Sequence, residues 1–297
     1  MKPAPFEYLA PDSLDAALDV LASNGGDAKL LAGGQSLIPV MNFRLAQPAL
    51  LVDLNRLREL DYVRRDGQDG GLRLGAMTRQ RTLEREPLVA ELAPLLREAV
   101  PFIAHPQIRN RGTVGGSLAH ADPAAELPAV AVALGARFRL RRGAGERWVE
   151  ARDFFSGLLS TVLEPDEMLV EVALPPPTPR TGWAFLEVAR RLGDYAQVGI
   201  AAGITLDEAG RCREARLVYL SVGDRPVEAR EATRMLTGAE PTDEAIAAAA
   251  EKAAADEMNP HDDIHASGDF KRHLARVITG RALRRAVARA KGEATPR

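Results

Sequence analysis

The chain has 297 residues, 46% of them hydrophobic, with 39 Lys and Arg against 41 Asp and Glu for a formal charge of −2. That length predicts two domains, or one large domain with an appendage, and the apolar share is enough for real cores. The near-neutral balance excludes a global basic field that would draw in nucleic acid, and the single cysteine, Cys212, excludes both an internal disulfide framework and an iron–sulfur cluster held by this chain alone. The arginines at Arg139, Arg141 and Arg142, and those near the C-terminus, read as solvated faces. No basic N-terminal segment precedes an apolar run and no stretch has bilayer length, which predicts a soluble cytoplasmic protein without a membrane span.

In chain order, "PDSLDAALDVLASNGG" places Leu14, Ala17, Leu18 and Leu21 at helical spacing, with Asp12 or Ser13 as the cap and Gly25 as the stop. "AKLLA" and "ALLVDL" read as short buried strands. The Gly-rich turn and short helix between them complete a small α/β unit. "YVRRDGQDGGLRLGA" reads as a hairpin with a Gly/Asp turn. "PLVAELAPLLREAV" is predicted as one amphipathic helix, and "PAAELPAVAVALGA" as an apolar helix from near Pro123 to Gly135. Two strands follow, "RFRLRR" and "RWVEA", joined by "GAGE". The proline-rich "LPPPTPRTG", Leu174 to Gly182, is the expected linker. Beyond it, "WAFLEVARR", "QVGIAAGITLD" and "CREARLVYLSVG" read as a three-stranded antiparallel sheet. Helices are expected over "EAREATRMLTG", over "TDEAIAAAAEKAAADE" and from about Ser267 onward.

Two loops carry adjacent glycines, "LLAGGQSLIPV" (Leu30 to Val40) and "GTVGGSLAHADP" (Gly112 to Pro123). Glycine leaves no Cβ between backbone and ligand. Successive N–H groups then form a concave anion nest, reinforced where a helix begins. Gly33, Gly34, Gln35 and Ser36 offer such donors, as do Thr113, Val114, Gly115, Gly116 and Ser117. Two nests suit a ligand with two linked phosphates. The chain has no Gly-x-Gly-x-x-Gly after its first strand and no Walker loop, which argues against a Rossmann or P-loop site. His105 and His120 are not spaced as metal ligands with a third partner, so no metal site is expected and loop or capping roles are. Arg109 and Arg111 either help to hold an anion or face water.

"LLAGGQSLIPVMNFRLAQPALLVDL", "IAHPQIRNRGTVGGSLAHADPAAELPAVAVALGA", "RRLGDYAQVGIAAGITL" and "DIHASGDFKRHLARVITGRAL" occur in that order over essentially the whole chain. Together they resemble the FAD-binding medium subunit of the molybdenum hydroxylases, the family of xanthine dehydrogenase and carbon monoxide dehydrogenase. The resemblance implies an α+β fold: a two-part FAD-binding domain of the vanillyl-alcohol-oxidase (PCMH) type over 1–175, with parts of about 1–55 and 56–175, and then a smaller domain over 176–297 with a three-stranded antiparallel sheet and helices. It implies that Ala32, Gly33, Gly34, Gln35, Ser36 and Leu37 wrap one side of the FAD diphosphate. Ile108 and Thr113, Gly115, Gly116 and Ser117 would wrap the other, the Thr113 and Ser117 hydroxyls adding hydrogen bonds. Asp122 and Glu126 would approach the ribityl and ring region, the backbone at Leu169 the polar edge of the flavin, and Asp194 and Tyr195 the ring itself.

Each residue has a plainer reading as well. Asp122-Pro123 can simply start a helix, Glu126 can be a first-turn acid favoured by the helix dipole, and Tyr195 can be ordinary packing. Two departures from the family pattern stand out. Many relatives carry a lysine in the strand before "GDYA", where this chain has Phe185-Leu186-Glu187, and Gln35 stands where some have histidine. The resemblance implies no catalytic acid or base in this chain. It implies an electron-transfer role in a heteromeric flavoprotein oxidoreductase complex. A molybdenum-cofactor large subunit would oxidise the substrate, an iron–sulfur small subunit would pass electrons to FAD, and NAD+, oxygen or another acceptor would receive them. The alternatives are a free-standing FAD-dependent oxidase or reductase on the same fold, and a non-enzymatic module with a degraded flavin site.

Overall fold

The computed structural model describes residues 1–143 and 145–293; position 144, inside the predicted "GAGE" turn, and the last four residues of the predicted C-terminal domain lie outside them. The chain opens with strand β1 (Glu7–Leu9), which no sequence signal announced, and helix α1 (Leu14–Asn24). Ser13, not Asp12, caps α1: its Oγ accepts from the Ala16 N–H at 3.2 Å, while Asp12 pairs with Arg56. Strand β2 (Ala28–Leu31), helix α2 (Leu37–Asn42) and strand β3 (Leu50–Asp53) follow. The three strands pair in parallel in the order β1-β3-β2. Leu14, Leu18 and Leu21 of α1 pack with Leu50 and Val52 of the sheet and with Met77, Met168 and Val170 from beyond it. This small core therefore joins the first part to the second.

The second part begins with the expected hairpin, β4 (Val63–Arg65) and β5 (Leu72–Gly75). Helix α3 (Gln80–Leu83) follows, and then two helices where one was expected, α4 (Pro87–Leu92) and α5 (Pro94–Ala99). The break is Pro94. It supplies no N–H, and it forces Ala93 out of helical geometry, to φ −140° and ψ 61°. Helices α6 (Pro106–Arg109), α7 (Val114–His120) and α8 (Glu126–Ala133) come next. Helix α8 starts three residues later than the sequence suggests. Asp122 makes a turn instead, its Oδ1 accepting from the Ala124 N–H at 2.9 Å and its carbonyl from the Ala125 N–H at 3.0 Å. Strands β6 (Arg137–Arg142) and β7 (Gly145–Glu150), helix α9 (Ala151–Phe154), the small hairpin β8 (Phe155–Gly157) and β9 (Ser160–Thr161), and strand β10 (Met168–Leu174) complete this part. The antiparallel order is β4-β5-β10-β6-β7. The central strand β10 is buried along its whole length.

After residues 175–180 come β11 (Thr181–Val188), β12 (Val198–Leu206), β13 (Cys212–Leu220) and the two-residue β14 (Val227–Glu228), then α10 (Arg230–Leu236), α11 (Asp243–Asp256) and α12 (Gly268–Ala290). The three expected strands thus gain a short fourth, in the order β11-β12-β13-β14. All nine residues of β12 are buried, because both faces of the sheet are covered. Ala201 of β12, with Phe185, Val218 and Leu220, joins the core of the second part, while Val198, Ile200, Ala202 and Ile204 pack against the C-terminal helices. Helix α12 lies directly on β11: a Cβ on Gly182 would sit 1.9 Å from the Ala286 carbonyl oxygen. Among the described residues no helix is long and apolar enough to cross a membrane.

Candidate functional site

The chain leaves β2 at Leu31 and turns through Ala32 to Ser36 before α2 begins. Gly34 makes the turn, at φ +73°. Among the described residues, the backbone N–H groups of Gly33, Gly34, Gln35 and Ser36 donate to no group of the chain, and the Ser36 hydroxyl has no capping bond. Four consecutive unspent donors, half-buried at a helix start, form a cradle for an anion. The Gln35 amide folds back, Nε2 donating to the Gly33 carbonyl at 3.0 Å, so this side chain holds the turn.

The second loop lies against the first. A Cβ on Gly33 would fall 2.4 Å from the Arg111 carbonyl oxygen and 2.8 Å from the Gly112 Cα. One on Gly116 would fall 2.7 Å from Thr113 Oγ1 and 3.3 Å from the Ala32 Cβ. Gly33 is therefore required by the close approach of the second loop's backbone, and Gly116 by the capping hydroxyl of Thr113, with Ala32 of the first loop next to it. The donors here are distributed differently from those of the first loop. The Val114 and Gly115 N–H groups bond to the Thr78 and Ala76 carbonyls (2.9 and 2.8 Å), and the Ser117 N–H bonds to the Thr113 carbonyl at 3.2 Å. Thr113 is the N-cap of α7, its hydroxyl accepting from the Gly116 N–H at 3.1 Å rather than standing free. Ile108, half-buried, anchors the approach by accepting from the Gly112 N–H at 2.7 Å.

Two residues that no motif pointed to fasten the loops together. Asn55 Nδ2 donates to the Ala32 carbonyl at 3.0 Å, and its Oδ1 accepts from Arg79 Nη2 at 2.6 Å. The other arm of Arg79 donates to the Arg111 carbonyl. Desolvation, and next to it the field of Arg111, pulls the Arg79 guanidinium below its usual range. The signal available in sequence was only an asparagine after a strand and an arginine before a short helix.

The other expected residues gather beyond the C-terminal end of α7. Ala121 closes that helix at φ +53°, and Asp122 turns the chain into α8, where Glu126 is 8% exposed. Burial first, and the Asp122 charge after it, pushes the Glu126 carboxyl up to about 7. Ser221, also at positive φ, joins this turn to the "GDYA" segment: its N–H donates to the Pro123 carbonyl (2.9 Å) and its hydroxyl to the Ala196 carbonyl (2.7 Å). Gly193 packs so closely on His105 that a Cβ would lie 2.4 Å from the imidazole. Asp194 is half-buried and 3.9 Å from Arg190. Tyr195 as a residue is 69% exposed, yet desolvation, and after it the fields of Asp122 and Glu126, raises its phenol pKa. Leu169 sits at a bulge of β10 with its side chain in the core, leaving only backbone for a ligand. Glu187 of β11 completes the group: burial, and then the charge of Glu126, pushes its carboxyl up to about 8. Among the described residues no group of three or more His, Cys, Asp or Glu side chains is arranged to hold a metal ion.

Residues 4–177 match the family model described as the FAD binding domain in molybdopterin dehydrogenase, and residues 183–286 match the CO dehydrogenase flavoprotein C-terminal domain. The chain is 43% identical, over 98% of its length and 97% of the relative's, to the alpha subunit of the 6-hydroxypseudooxynicotine dehydrogenase complex of Paenarthrobacter nicotinovorans. Among solved structures it is similar to a chain of carbon monoxide dehydrogenase from Hydrogenophaga pseudoflava (TM-score 0.93, 41% identity, 97% of this chain and 99% of that one). It is equally similar to a chain of quinoline 2-oxidoreductase from Pseudomonas putida 86 (TM-score 0.92, 42% identity, 98% and 99%).

Proposed function

The chain belongs to the FAD-binding medium-subunit family of the molybdenum hydroxylases, and from that premise we propose that it relays electrons from an iron–sulfur partner, through its bound FAD, to an acceptor. It is a component of an oxidoreductase complex, and its cofactor is FAD. The observation that carries the reading is the pairing of the two glycine loops around four unspent N–H donors. Gly33 to Ser36 would bind the diphosphate, Gly116 and Ser117 would close its other side, and Arg79 with Asn55 would keep both loops in register. Asp122, Glu126, Asp194, Tyr195 and the backbone at Leu169 would orient the ribityl and ring portion and keep water from it. Bound FAD supplies the capacity to collect electrons singly and release them in pairs.

Cys212 is the single cysteine and is buried, so the clusters that feed this chain belong to another subunit. The substrate is then oxidised in a large molybdenum subunit, and the acceptor is NAD+, oxygen or another oxidant. The proposed division falls at residues 175/176, with a lesser seam near residue 55. The C-terminal sheet and helices keep a core of their own, while the core under α1 spans the lesser seam by taking in Met77, Met168 and Val170.

Affinity purification of the tagged chain from cells that express it tests the reading. The expected isolate contains a large molybdenum subunit, a small iron–sulfur subunit and one FAD per copy of this chain. A chain that comes down alone, carries FAD and turns over an organic substrate contradicts it and supports the free-standing oxidase.

A further inference from the structure

At the end of the site beyond α7, Glu126 and Glu187 form no ion pair among the described residues. Glu126, the first residue of α8, is 8% exposed, and among the described residues no other side chain hydrogen-bonds to it. Glu187 lies near the end of β11, opposite Gly199 of β12, and its Oε2 is wholly enclosed with no hydrogen-bond partner. Glu187, two residues after Phe185, is on the face of β11 that joins the core of the second part, the face that α8 covers on β12 and β13. Gly199 and Leu220 lie in register beside it, and Ser221, next after Leu220, is bonded to Pro123 in the turn that leads into α8, so the two carboxyls share one end of that layer. Glu126 is the charged group that acts on Glu187; Asp122 and Arg109 act on Glu126; Tyr195 faces Asp122 and Glu126. Arg109 is already committed, to Glu84 at 3.2 Å and to the carbonyls of Pro101, Ile103 and Ala104 at 3.4, 2.7 and 3.1 Å. Two neighbouring carboxyls in a desolvated place without a free cation do not both ionise near neutrality.

We propose that Glu187 is the proton-holding member of a Glu187–Glu126 carboxyl pair at the ring end of the flavin site, and that FAD uptake is coupled to pH through it. The inference rests on the FAD reading above. Glu187 is the holder because its enclosed oxygen has no other way to be satisfied, and because it sees only a like charge. Its carboxyl is also the higher of the two, about 8 against about 7. Protonation removes the charge from the enclosed side of the carboxyl, and Oε1, which is not enclosed, is left to meet a polar ligand edge. A ligand that covers the pair removes more water, which tightens the hold on the proton. Above pH 8 the free chain has lost the proton that the bound chain keeps, so binding must take one up.

The test is titration of the full-length apo chain with FAD between pH 6.5 and 9.5, by calorimetry in two buffers of unlike ionisation enthalpy. For the native chain we expect affinity to fall above about pH 8, approaching tenfold per pH unit, with up to one proton taken up per FAD. Glu187→Gln should bind with nearly constant affinity and no proton uptake. Glu126→Gln, which removes the like charge, should move the onset of the fall to lower pH. Constant native affinity over this range, or a Glu187→Gln chain that falls as the native one does, overturns the proposal while leaving the cofactor in place. A native chain that takes up no FAD at any pH overturns the cofactor reading and the proposal with it.

Discussion

Gly33 and Gly34 are neighbours, yet they are glycine for different reasons. Gly34 makes the turn at positive φ, a conformation that costs an ordinary residue roughly 1 kcal/mol. Gly33 has no such backbone; its missing Cβ is the space the second loop occupies. Gly33→Val and Gly116→Val should therefore each lower the FAD content of folded chain by at least about tenfold, read from the flavin absorbance of protein whose circular dichroism is unchanged. Unaltered flavin content in both variants would mean that the loops are not the cradle. Arg79→Ala removes a charge-assisted bond of about 1.5–3 kcal/mol to the second loop, together with the bond to Asn55 that steadies the first, so the FAD Kd should rise by about ten- to a hundredfold, with part of the loss recovered in Arg79→Lys; a Kd unmoved in Arg79→Ala contradicts the fastening role. Gly-Gly alone is common in tight turns, and the glycine pairs were legible only because two such loops occur within a set of motifs in fixed order along the chain. Arg79 and Asn55 were not, since each becomes meaningful only when residues 23 to 32 positions apart close upon one another.

Elements were legible where periodicity decided them and illegible where a single contact did. The spacing of Leu14, Leu18 and Leu21 gave α1 its place, and Ser13 its cap. The helix expected over residues 87–100 broke at Pro94, which one missing N–H would have foretold. The late start of α8 depends on Asp122 bonding its own following backbone, a choice that composition does not reveal. At Gly182 the element scale makes a firm prediction, because α12 rests on that glycine. Gly182→Val should push the helix off the sheet and destabilise the chain by about 3 kcal/mol, seen as a lower Tm and as faster hydrogen exchange in α12 than in β10. An unchanged Tm would mean that the contact is not a close one in solution. Across the same interface, Tyr219 and Thr279 share a buried 2.6 Å hydrogen bond, so Tyr219→Phe should cost about 1 kcal/mol.

At the scale of the whole molecule, the proline-rich segment marked the passage between two parts but not their union. Phe185, Ala201, Val218 and Leu220 from beyond it complete the core of the second part. No local pattern reports that, since a strand buried on both faces looks the same in sequence whichever layer covers it. The same packing strands carboxyls in the interior, with a consequence for the apo chain as a whole. Glu126 and Glu187 have folded-state values of about 7 and about 8 against a usual 4.5, so between pH 4.5 and 8 the folded chain binds more protons than the unfolded one. Their contribution therefore falls as pH rises through that window. Asp263 acts in the opposite sense: bonded by Lys271, it is pulled down to about 2, and the stability it gives is lost as pH falls below about 4. Thermal melts of the apo chain should show the alkaline loss diminished in Glu187→Gln and the acid loss unchanged; equal alkaline losses in both chains would contradict the assignment.

The account's central claim is that residues 33–36 and 116–117 face one diphosphate. The structure of the FAD-loaded chain measures this directly. Its diphosphate oxygens should lie within hydrogen-bonding distance of the Gly33 to Ser36 N–H groups, with Gly116 and Ser117 on the far side. A diphosphate lodged elsewhere, with those N–H groups still bare or turned to water, would contradict it.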